Sequence, residues 1–401
     1  MEKPEILKLS KSKLDLVILA GGKGSRIKSF LGKSPKPMLK FNSKNFIQYI
    51  LNKFSKYNFK RILILTGYRG NVISKKYNNT FKNFIKISCI REKKIMGTGG
   101  ALHSLKKLKV KDFVLVNGDT IFDINLKELL GSISKNSVGS IALIKNKNLN
   151  NKKLNNLKLV NNYIASKNSG NLMNGGTYYF KKNIFKYVKK SNISLENKIL
   201  PFLLKKKIIN GKVFDNFFLD IGTREKFKLA NKKLKLNFKK KAIFLDRDGV
   251  INYDYGYVHD FNNFKFKKNV IKGLKLIIKK NYHIFIVTNQ AGIAKGIFSE
   301  KKLVKLHKKL KEILCLENIY FDDVLYSPFH PKGIIKRYKG TSDLRKPGTG
   351  MIKILKKNWD IDYQKSLMIG DKKTDEITAK KSNLRFFYAE QDFLKQIKKI
   401  I

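Results

Sequence analysis

Residues 242–252 read AIFLDRDGVIN. Ala242–Leu245 is a short, continuously apolar run of the kind that forms a buried strand. It ends on Asp246-Arg247-Asp248-Gly249. A continuing strand puts residues two apart on the same face, and a turn at the strand end can bring both carboxylates to one site. Alone, such an acidic pair is common and mostly structural or metal-binding. Here three more elements follow in order: Thr288-Asn289-Gln290 after the next strand, Lys346 within RKP, and GDKKTD at Gly370–Asp375. Each follows an apolar run or lies on a loop, and four in order are not a coincidence.

The same rhythm runs outward in both directions. Strand candidates are Leu16–Ala20, Arg61–Thr66, Phe113–Asn117 and Ser140–Ile144, then Ala242–Asp246, His283–Thr288, Val324–Tyr326 and Ser366–Ile369. Between them lie helical, lysine-studded stretches, the pattern of βαβ units and mostly parallel sheets. The fold class expected is therefore α/β, two Rossmann-like three-layer αβα domains whose ligands sit beyond the carboxyl ends of the strands. The stretch Lys226–Lys241 has no Pro or Gly and reads as a terminal helix running into a short connector, which places the domains at 1–237 and 238–401. Lys145–Leu159, rich in Asn and Lys, reads as a surface excursion with little strand character.

Composition narrows the function classes. Among 401 residues, 87 Lys+Arg stand against 29 Asp+Glu, a formal net charge of +58. The lysines are scattered through every segment rather than gathered into a stripe or tail, which is not the pattern of a nucleic-acid surface. The milder consequence is attraction of small anionic substrates. No apolar run approaches the ~20 residues needed to span a bilayer, and the start of the chain lacks the apolar core of a signal peptide. Cys89 and Cys315 are the only cysteines, which excludes a disulfide framework. A soluble cytoplasmic protein with no nucleic-acid partner and no membrane partner is expected.

The first half opens its chemistry at Gly21-Gly22-Lys23-Gly24-Ser25-Arg26, directly after Leu16–Ala20, with Lys33-Ser34-Pro35-Lys36-Pro37-Met38 beyond it. Glycines after a strand let backbone N–H groups approach a phosphate, and Arg26 and Lys36 supply positive charge. The spacing is neither that of a Walker A loop nor that of a dinucleotide fingerprint. Taken whole, LAGGKGSRI…SPKPM, GTGGAL (Gly97–Leu102), VNGDTIFD (Val116–Asp123), MNGGTYYF (Met173–Phe180), SLE (Ser194–Glu196) and FLDIGT (Phe218–Thr223) resemble the sugar-1-phosphate nucleotidylyltransferases over roughly Leu14–Asn231. Among these the pattern is most similar to guanylyltransferases acting on a heptose 1-phosphate.

That resemblance implies a sugar phosphate attacking the α-phosphorus of a nucleoside triphosphate, with pyrophosphate leaving. It implies Mg²⁺ on Asp119 and Asp220, and Arg26 and Lys36 on the triphosphate. Gly21, Gly22, Gly24 and Ser25 belong to the phosphate loop, and Gly97 and Gly99 to a second loop beside the nucleobase. On the sugar side it implies Gly175, Glu196 as acceptor for sugar hydroxyls, and Lys167, either a clamp on the sugar phosphate or a solvated lysine. Ser25 stands where that family usually has Thr, so base preference cannot be read from this loop.

The second half resembles the haloacid-dehalogenase-type phosphohydrolases over about Lys241–Glu390, without a large cap, because Asn252 to Thr288 is too short an interval to hold one. The resemblance implies Asp246 as nucleophile and Asp248 as general acid and base. Thr288, Asn289 and Lys346 would bind the phosphoryl group. Mg²⁺ would rest on Asp246, the Asp248 backbone carbonyl and Asp371, with Asp375 orienting the site. DYGYVHDFNNFKF, NQAGIAKG and SPFHP…SDLRKP are similar to heptose 1,7-bisphosphate 7-phosphatases, with Arg345 on the phosphate that stays and His259 on sugar hydroxyls or merely on the surface. Many of these relatives carry zinc on Cys-x-His and Cys-x-Cys; the matching positions here are Ser327, Phe329, Ser342 and Leu344, leaving only His330. No zinc is expected. The two halves then form consecutive steps on one sugar, with a hexose phosphate as the alternative substrate.

Overall fold

The computed structural model describes residues 4–22, 24, 32, 34–92, 94, 96–145, 157–166 and 170–401. They fall into two compact units, Met1–Phe54 with Phe59–Lys233, and Ser55–Asn58 with Leu234–Ile401. Among the described residues no helix is long and apolar enough to cross a membrane.

The first unit is organised by one sheet. Its strands are β1 (Asp15–Ala20), β2 (Arg61–Thr66), β3 (Thr80–Lys82), β4 (Ile85–Arg91), β5 (Phe113–Asn117), β6 (Gly139–Lys145), β7 (Leu157–Val160), β8 (Tyr163–Ser166), β9 (Leu172–Phe180) and β10 (Ile209–Val213). Their spatial order is β7-β8-β10-β6-β9-β5-β1-β2-β4-β3. The centre, β5-β1-β2-β4, is parallel, as its unbroken apolar runs require when both faces are covered; Leu16, Val17 and Ile18 are fully buried. At the amino ends of these strands Arg61 chelates Asp15, with Nε–Oδ1 at 2.9 Å and Nη2–Oδ2 at 3.1 Å. The carboxyl ends are left for loops.

The alternation pattern does not reveal β9. It enters antiparallel between β5 and β6 because Thr177–Phe180 is buried on both faces. Its Asn174-Gly175-Gly176 is an irregularity inside the strand, where the register shifts between Asn174 and Tyr178. Of the Asn/Lys-rich excursion, residues 146–156 lie outside the described residues, and Leu157 already opens β7.

The second unit holds a purely parallel five-stranded sheet: β11 (Ala242–Leu245), β12 (His283–Asn289), β13 (Asp323–Ser327), β14 (Leu367–Gly370) and β15 (Arg385–Tyr388). The order is β13-β12-β11-β14-β15. The chain thus winds one way from β11 to β13 and the other way from β14 to β15. That reversal opens a crevice between the ends of β11 and β14, where such sheets hold ligands. Phe244, Phe285, Met368, Leu355 and Trp359 pack the core below it. The lysine-heavy stretch expected to end the first domain is a helix, Arg224–Phe238.

Candidate active sites

In the second unit, β11 delivers Asp246 and β14 delivers Asp371, while the helix Lys373–Lys381 contributes Asp375 from its first turn. One oxygen from each of these carboxylates lies within 4.8 Å of the others. Asp246 and Asp375 are 5% and 0% exposed. Lys346 reaches into the same pocket, its Nζ 2.9 Å from Asp246 Oδ2, 2.6 Å from Asp375 Oδ1 and 2.8 Å from the Val287 carbonyl. Three carboxylates against one ammonium leave an excess of negative charge in a place with little water. Burial accordingly raises the Asp246 pKa, with Lys346 pulling it down and Asp375 pushing it further up. Asp371 is pushed up to about 6 by burial, then by Asp246, with Lys372 opposing. Asp371 Oδ1 is buried with no hydrogen-bond partner. A divalent cation, which takes oxygen ligands, fits this donor set and would satisfy that atom.

Backbone shape makes the pocket possible. Gly249 has φ +78°, and a Cβ there would sit 2.3 Å from Asp371 Oδ2. Gly370 faces the same limit, since its Cβ would fall 2.3 Å from Asp375 Cβ.

The Asp248 carboxylate does not join the acidic trio. It accepts hydrogen bonds from Arg247, from Asn252 Nδ2 at 2.9 Å and from Gln290 Nε2 at 2.8 Å. Gln290 also donates to Thr288 Oγ1 at 3.1 Å. Asn289 and Lys346 exchange two 3.0 Å bonds between the Asn side chain and the Lys backbone, which ties the RKP turn to the end of β12. Arg345 is half-buried and donates to the Phe329 carbonyl at 3.2 Å. His259 stacks on Phe298 with centroids 4.7 Å apart, and its Nδ1 donates to the Tyr257 carbonyl. Lys372 clamps Asp254 at 2.9 Å, joining that loop to the turn that bears Asp371. His330, the remaining residue of the zinc pattern, accepts at Nδ1 from the Lys332 amide. Around it the loop is held by Tyr326 and Tyr338, whose hydroxyls donate to the two oxygens of Glu300 at 2.6 and 2.7 Å.

In the first unit the equivalent crevice lies between β1 and β5. The Gly118 amide donates to the Leu19 carbonyl at 2.8 Å, and a Cβ on Gly118 would meet that oxygen at 2.6 Å. The chain then turns into Asp119 and a two-stranded ribbon, Thr120–Phe122 with Phe218–Asp220, in which Asp220 pairs with Thr120. The Ile221 amide donates to the Asp119 carbonyl at 3.1 Å. Asp119 and Asp220 thus arrive side by side although a hundred residues of chain separate them. Each rests on a lysine: Lys36 is 3.1 Å from Asp119 and Lys226 is 2.9 Å from Asp220. Lys36 is buried in the turn Lys36–Met38.

Gly21 follows β1, its carbonyl accepting from the Tyr68 amide at 3.2 Å; nothing lies within 4 Å of a Cβ on Gly22, and Gly24 has φ +67°. Ser25, Arg26 and Lys167 lie outside the described residues. Gly97 and Gly99 sit in the helix Gly97–Ala101 against the Ile193 carbonyl, which a Cβ would approach to 2.7 and 3.0 Å. Glu196 Oε2 accepts from Thr98 Oγ1 at 2.6 Å and from Ser194 Oγ at 3.2 Å, which links this loop to the SLE turn. A Cβ on Gly175 would fall 2.4 Å from the Phe122 ring, so the ribbon packs on β9 only through glycine.

Several residues at these sites had no role in the sequence reading: Arg247, Asn252 and Gln290 around Asp248, Lys226 on Asp220, and Thr98 on Glu196. Glu92, directly after β4, also faces the first crevice beside Gly21 and Gly67, with burial raising its pKa. For Arg247, Asn252, Gln290 and Thr98 the signal was a polar residue within a quoted motif, whereas Lys226 and Glu92 lie outside those motifs, and only the fold shows which way each points.

The profile of the nucleotidyl transferase family matches residues 16–236, and that of polynucleotide kinase 3 phosphatases matches residues 244–398. Three curated relatives carry the name D-glycero-β-D-manno-heptose-1,7-bisphosphate 7-phosphatase. The protein from Haemophilus influenzae is 44% identical over 135 residues, covering 34% of this chain and 73% of that one. Those from Rhodopseudomonas palustris and Escherichia coli K12 are 36% and 38% identical, covering 40% and 36% of this chain and 91% and 75% of theirs. Among solved structures, HddC from Yersinia pseudotuberculosis aligns at 27% identity and a TM-score of 0.47, over 55% of this chain and 99% of that one. The chain is a bifunctional enzyme, belonging to the nucleotidyl transferase family through its first half and to the D-glycero-β-D-manno-heptose-1,7-bisphosphate 7-phosphatase family through its second.

Proposed function

We propose that the second half removes the 7-phosphate of D-glycero-D-manno-heptose 1,7-bisphosphate and that the first half transfers a nucleotidyl group, GMP from GTP, to the heptose 1-phosphate so released, giving GDP-heptose and pyrophosphate. The observation that carries the first step is the convergence of Asp246, Asp371, Asp375 and Lys346 on one pocket at the β11/β14 crevice, in a family whose relatives bear the name of this phosphatase. The second step is supported by the nucleotidyl transferase profile, by the glycine loops, and by the pairing of Asp119 with Asp220. Guanine rests on the likeness of the whole motif set to heptose-1-phosphate guanylyltransferases.

In the phosphatase reading Asp246 attacks phosphorus and forms an aspartyl-phosphate. Asp248 protonates the departing sugar oxygen, then takes a proton from the water that hydrolyses the intermediate. Lys346 and Thr288 hold the phosphoryl oxygens, and Asp375 keeps Lys346 aimed. Mg²⁺ would be held by Asp246, Asp371 and the Asp248 carbonyl in this half and by Asp119 and Asp220 in the other; when bound it neutralises phosphate charge. In the transferase reading both partners are anions, so positioning and charge neutralisation carry the rate. Arg26 and Lys36 hold the triphosphate, Lys167 the sugar phosphate, and Glu196 accepts from sugar hydroxyls. The product would serve as a donor for glycan assembly.

The anomer needs its own assay. The relatives are named for the β-bisphosphate, whereas the guanylyltransferases that the first half resembles use the α-1-phosphate. Two steps that share an intermediate must share an anomer, so the α-bisphosphate is the expected substrate. Phosphate release should be measured on both anomers, and pyrophosphate release with GTP, ATP, CTP and UTP on both 1-phosphates. Preference for opposite anomers in the two halves would refute the sequential reading, and faster turnover of hexose phosphates would replace heptose with hexose.

A further inference from the structure

Among the described residues Arg247 is one of the largest side chains that are fully buried, at 0% exposure between the two aspartates of the DRDG turn. Its Nε and Nη2 donate to Asp248 Oδ1 at 3.1 and 2.9 Å, and Nη2 donates to Oδ2 at 2.8 Å. The same Nη2 reaches the Val258 carbonyl at 2.6 Å, on the loop that runs past the pocket to His259. Behind it, Nη1 lies 3.2 Å from His307 Nε2, on the helix Glu300–Leu316. A guanidinium only donates, so this imidazole nitrogen accepts. His307 is therefore neutral, in keeping with a pKa that burial and then Arg247 hold well below the ordinary histidine value.

Asn252 and Gln290 complete the ring of donors around Asp248. Arg247 is the charged member of that ring and the one anchored on three sides: carboxylate, loop carbonyl and helix. A planar guanidinium on a carboxylate fixes its plane as well as its place.

We propose that Arg247 is a positioning residue of the phosphatase reaction: it holds the Asp248 carboxyl at the angle from which a proton reaches the departing sugar oxygen, and it sets that angle against the substrate-side loop at Val258. The inference rests on the reading of Asp248 as acid and base. In the first step an Asp246 oxygen bonds to phosphorus, the bond from phosphorus to the sugar oxygen breaks, its electron pair stays on that oxygen, and the Asp248 proton goes there. In the second, a water oxygen bonds to phosphorus, Asp248 takes its proton, and the bond to Asp246 breaks to release phosphate. A misplaced Asp248 hurts the first step only when the leaving oxygen needs a proton.

The test uses that dependence. The full-length protein and its R247K, R247Q, H307Q and D248N variants are assayed with Mg²⁺ for kcat/KM, which reports the step through leaving-group departure. One substrate is heptose 1,7-bisphosphate and the other p-nitrophenyl phosphate, whose phenolate departs without a proton. For R247K and R247Q the sugar phosphate should lose about 10²-fold, within the range general acids supply, while the aryl phosphate loses only a few-fold; H307Q should shift the ratio the same way by less. Equal losses on both substrates in the Arg247 variants would overturn the inference and leave Arg247 a structural ion pair. Nucleotidyl transfer by the same samples reports folding of the other half, and a melting transition that of this one. Where R247Q does not fold, R247K and H307Q decide between the same two outcomes. D248N separates the two readings: if it too loses both substrates equally, the acid–base assignment of Asp248 fails, whereas a selective loss in D248N without one in R247K condemns Arg247 alone.

Discussion

In the second unit the acidic groups meet in a dry pocket, with the Asp246 and Asp375 side chains 7% and 0% exposed around a lysine that is itself 1% exposed. In the first unit Asp119 and Asp220 keep 33% and 28% of their side chains exposed, and each is already neutralised by its own lysine. Both sites lie where a parallel sheet reverses its winding. The difference follows from the chemistry. On the reading proposed above, a carboxylate that attacks phosphorus has to be held rigidly and shielded, and its burial is tolerable because Lys346 compensates the charge. A site that brings two separate anionic substrates together needs room, glycine backbone and exchangeable cations. On that reading the covalent step is built from side chains, and the transfer step largely from backbone.

The comparison breaks most sharply at Asp246, the proposed nucleophile. D246N should lower phosphate release by about a thousandfold or more, the scale of removing a covalent nucleophile, and leave nucleotidyl transfer from heptose 1-phosphate unchanged. D119A, measured by pyrophosphate release, should cost about 10²–10³-fold, as expected for loss of charge stabilisation at a transferred phosphoryl group, with phosphate release intact. Cross-effects in either variant would mean that the two sites are not independent.

A backbone change sharpens the contrast between side-chain and glycine construction. G249A places a Cβ at 2.3 Å from Asp371 Oδ2 at a positive φ, so Asp371 must move. Loss of the Mg²⁺ concentration dependence by about 10–100-fold in affinity is expected, read by titrating the metal against phosphate release.

The smallest effect is one of pH. With Asp371 pushed up to about 6, a cation must displace its proton below that value, so apparent Mg²⁺ affinity of the phosphatase should fall about tenfold per unit as pH drops below 6. The sign for stability is opposite to that of an ion-paired aspartate. A raised folded pKa means that the folded state binds the extra proton, so without metal this group's contribution falls as pH rises from the ordinary aspartate range to 6, then levels off. Melting at pH 4.5 and pH 7, with and without added Mg²⁺, checks it; a metal effect larger at pH 4.5 would contradict it.

Much of this was legible in the chain. Eight apolar runs became strands because parallel strands buried on both faces need continuous apolar sequence, and the Gly- and Asp-bearing turns behind them became the sites. β9 was hidden because Asn174-Gly175-Gly176 carries turn chemistry within a strand, where close packing on Phe122 rather than a turn demands glycine. The partnership of Asp119 with Asp220 came from motif resemblance, since no local rule spans the chain between them. Asp375 was read as an orienting group, and the structure places it 2.6 Å from Lys346 and among the three carboxylates of the pocket. Arg247 received no role in the sequence reading, and only the fold shows that it is sealed inside and bound to Asp248.

The central claim is that two magnesium sites handle one sugar in succession. The direct measurement is incubation of the full-length protein with heptose 1,7-bisphosphate, GTP and Mg²⁺, following phosphate, pyrophosphate and nucleotide sugar together, alongside D246N. The account predicts one phosphate and one pyrophosphate for each GDP-heptose formed, and no GDP-heptose from D246N until heptose 1-phosphate is supplied. Nucleotide sugar formed by D246N directly from the bisphosphate, or phosphate released by the unmodified protein with no nucleotide sugar following, would contradict it.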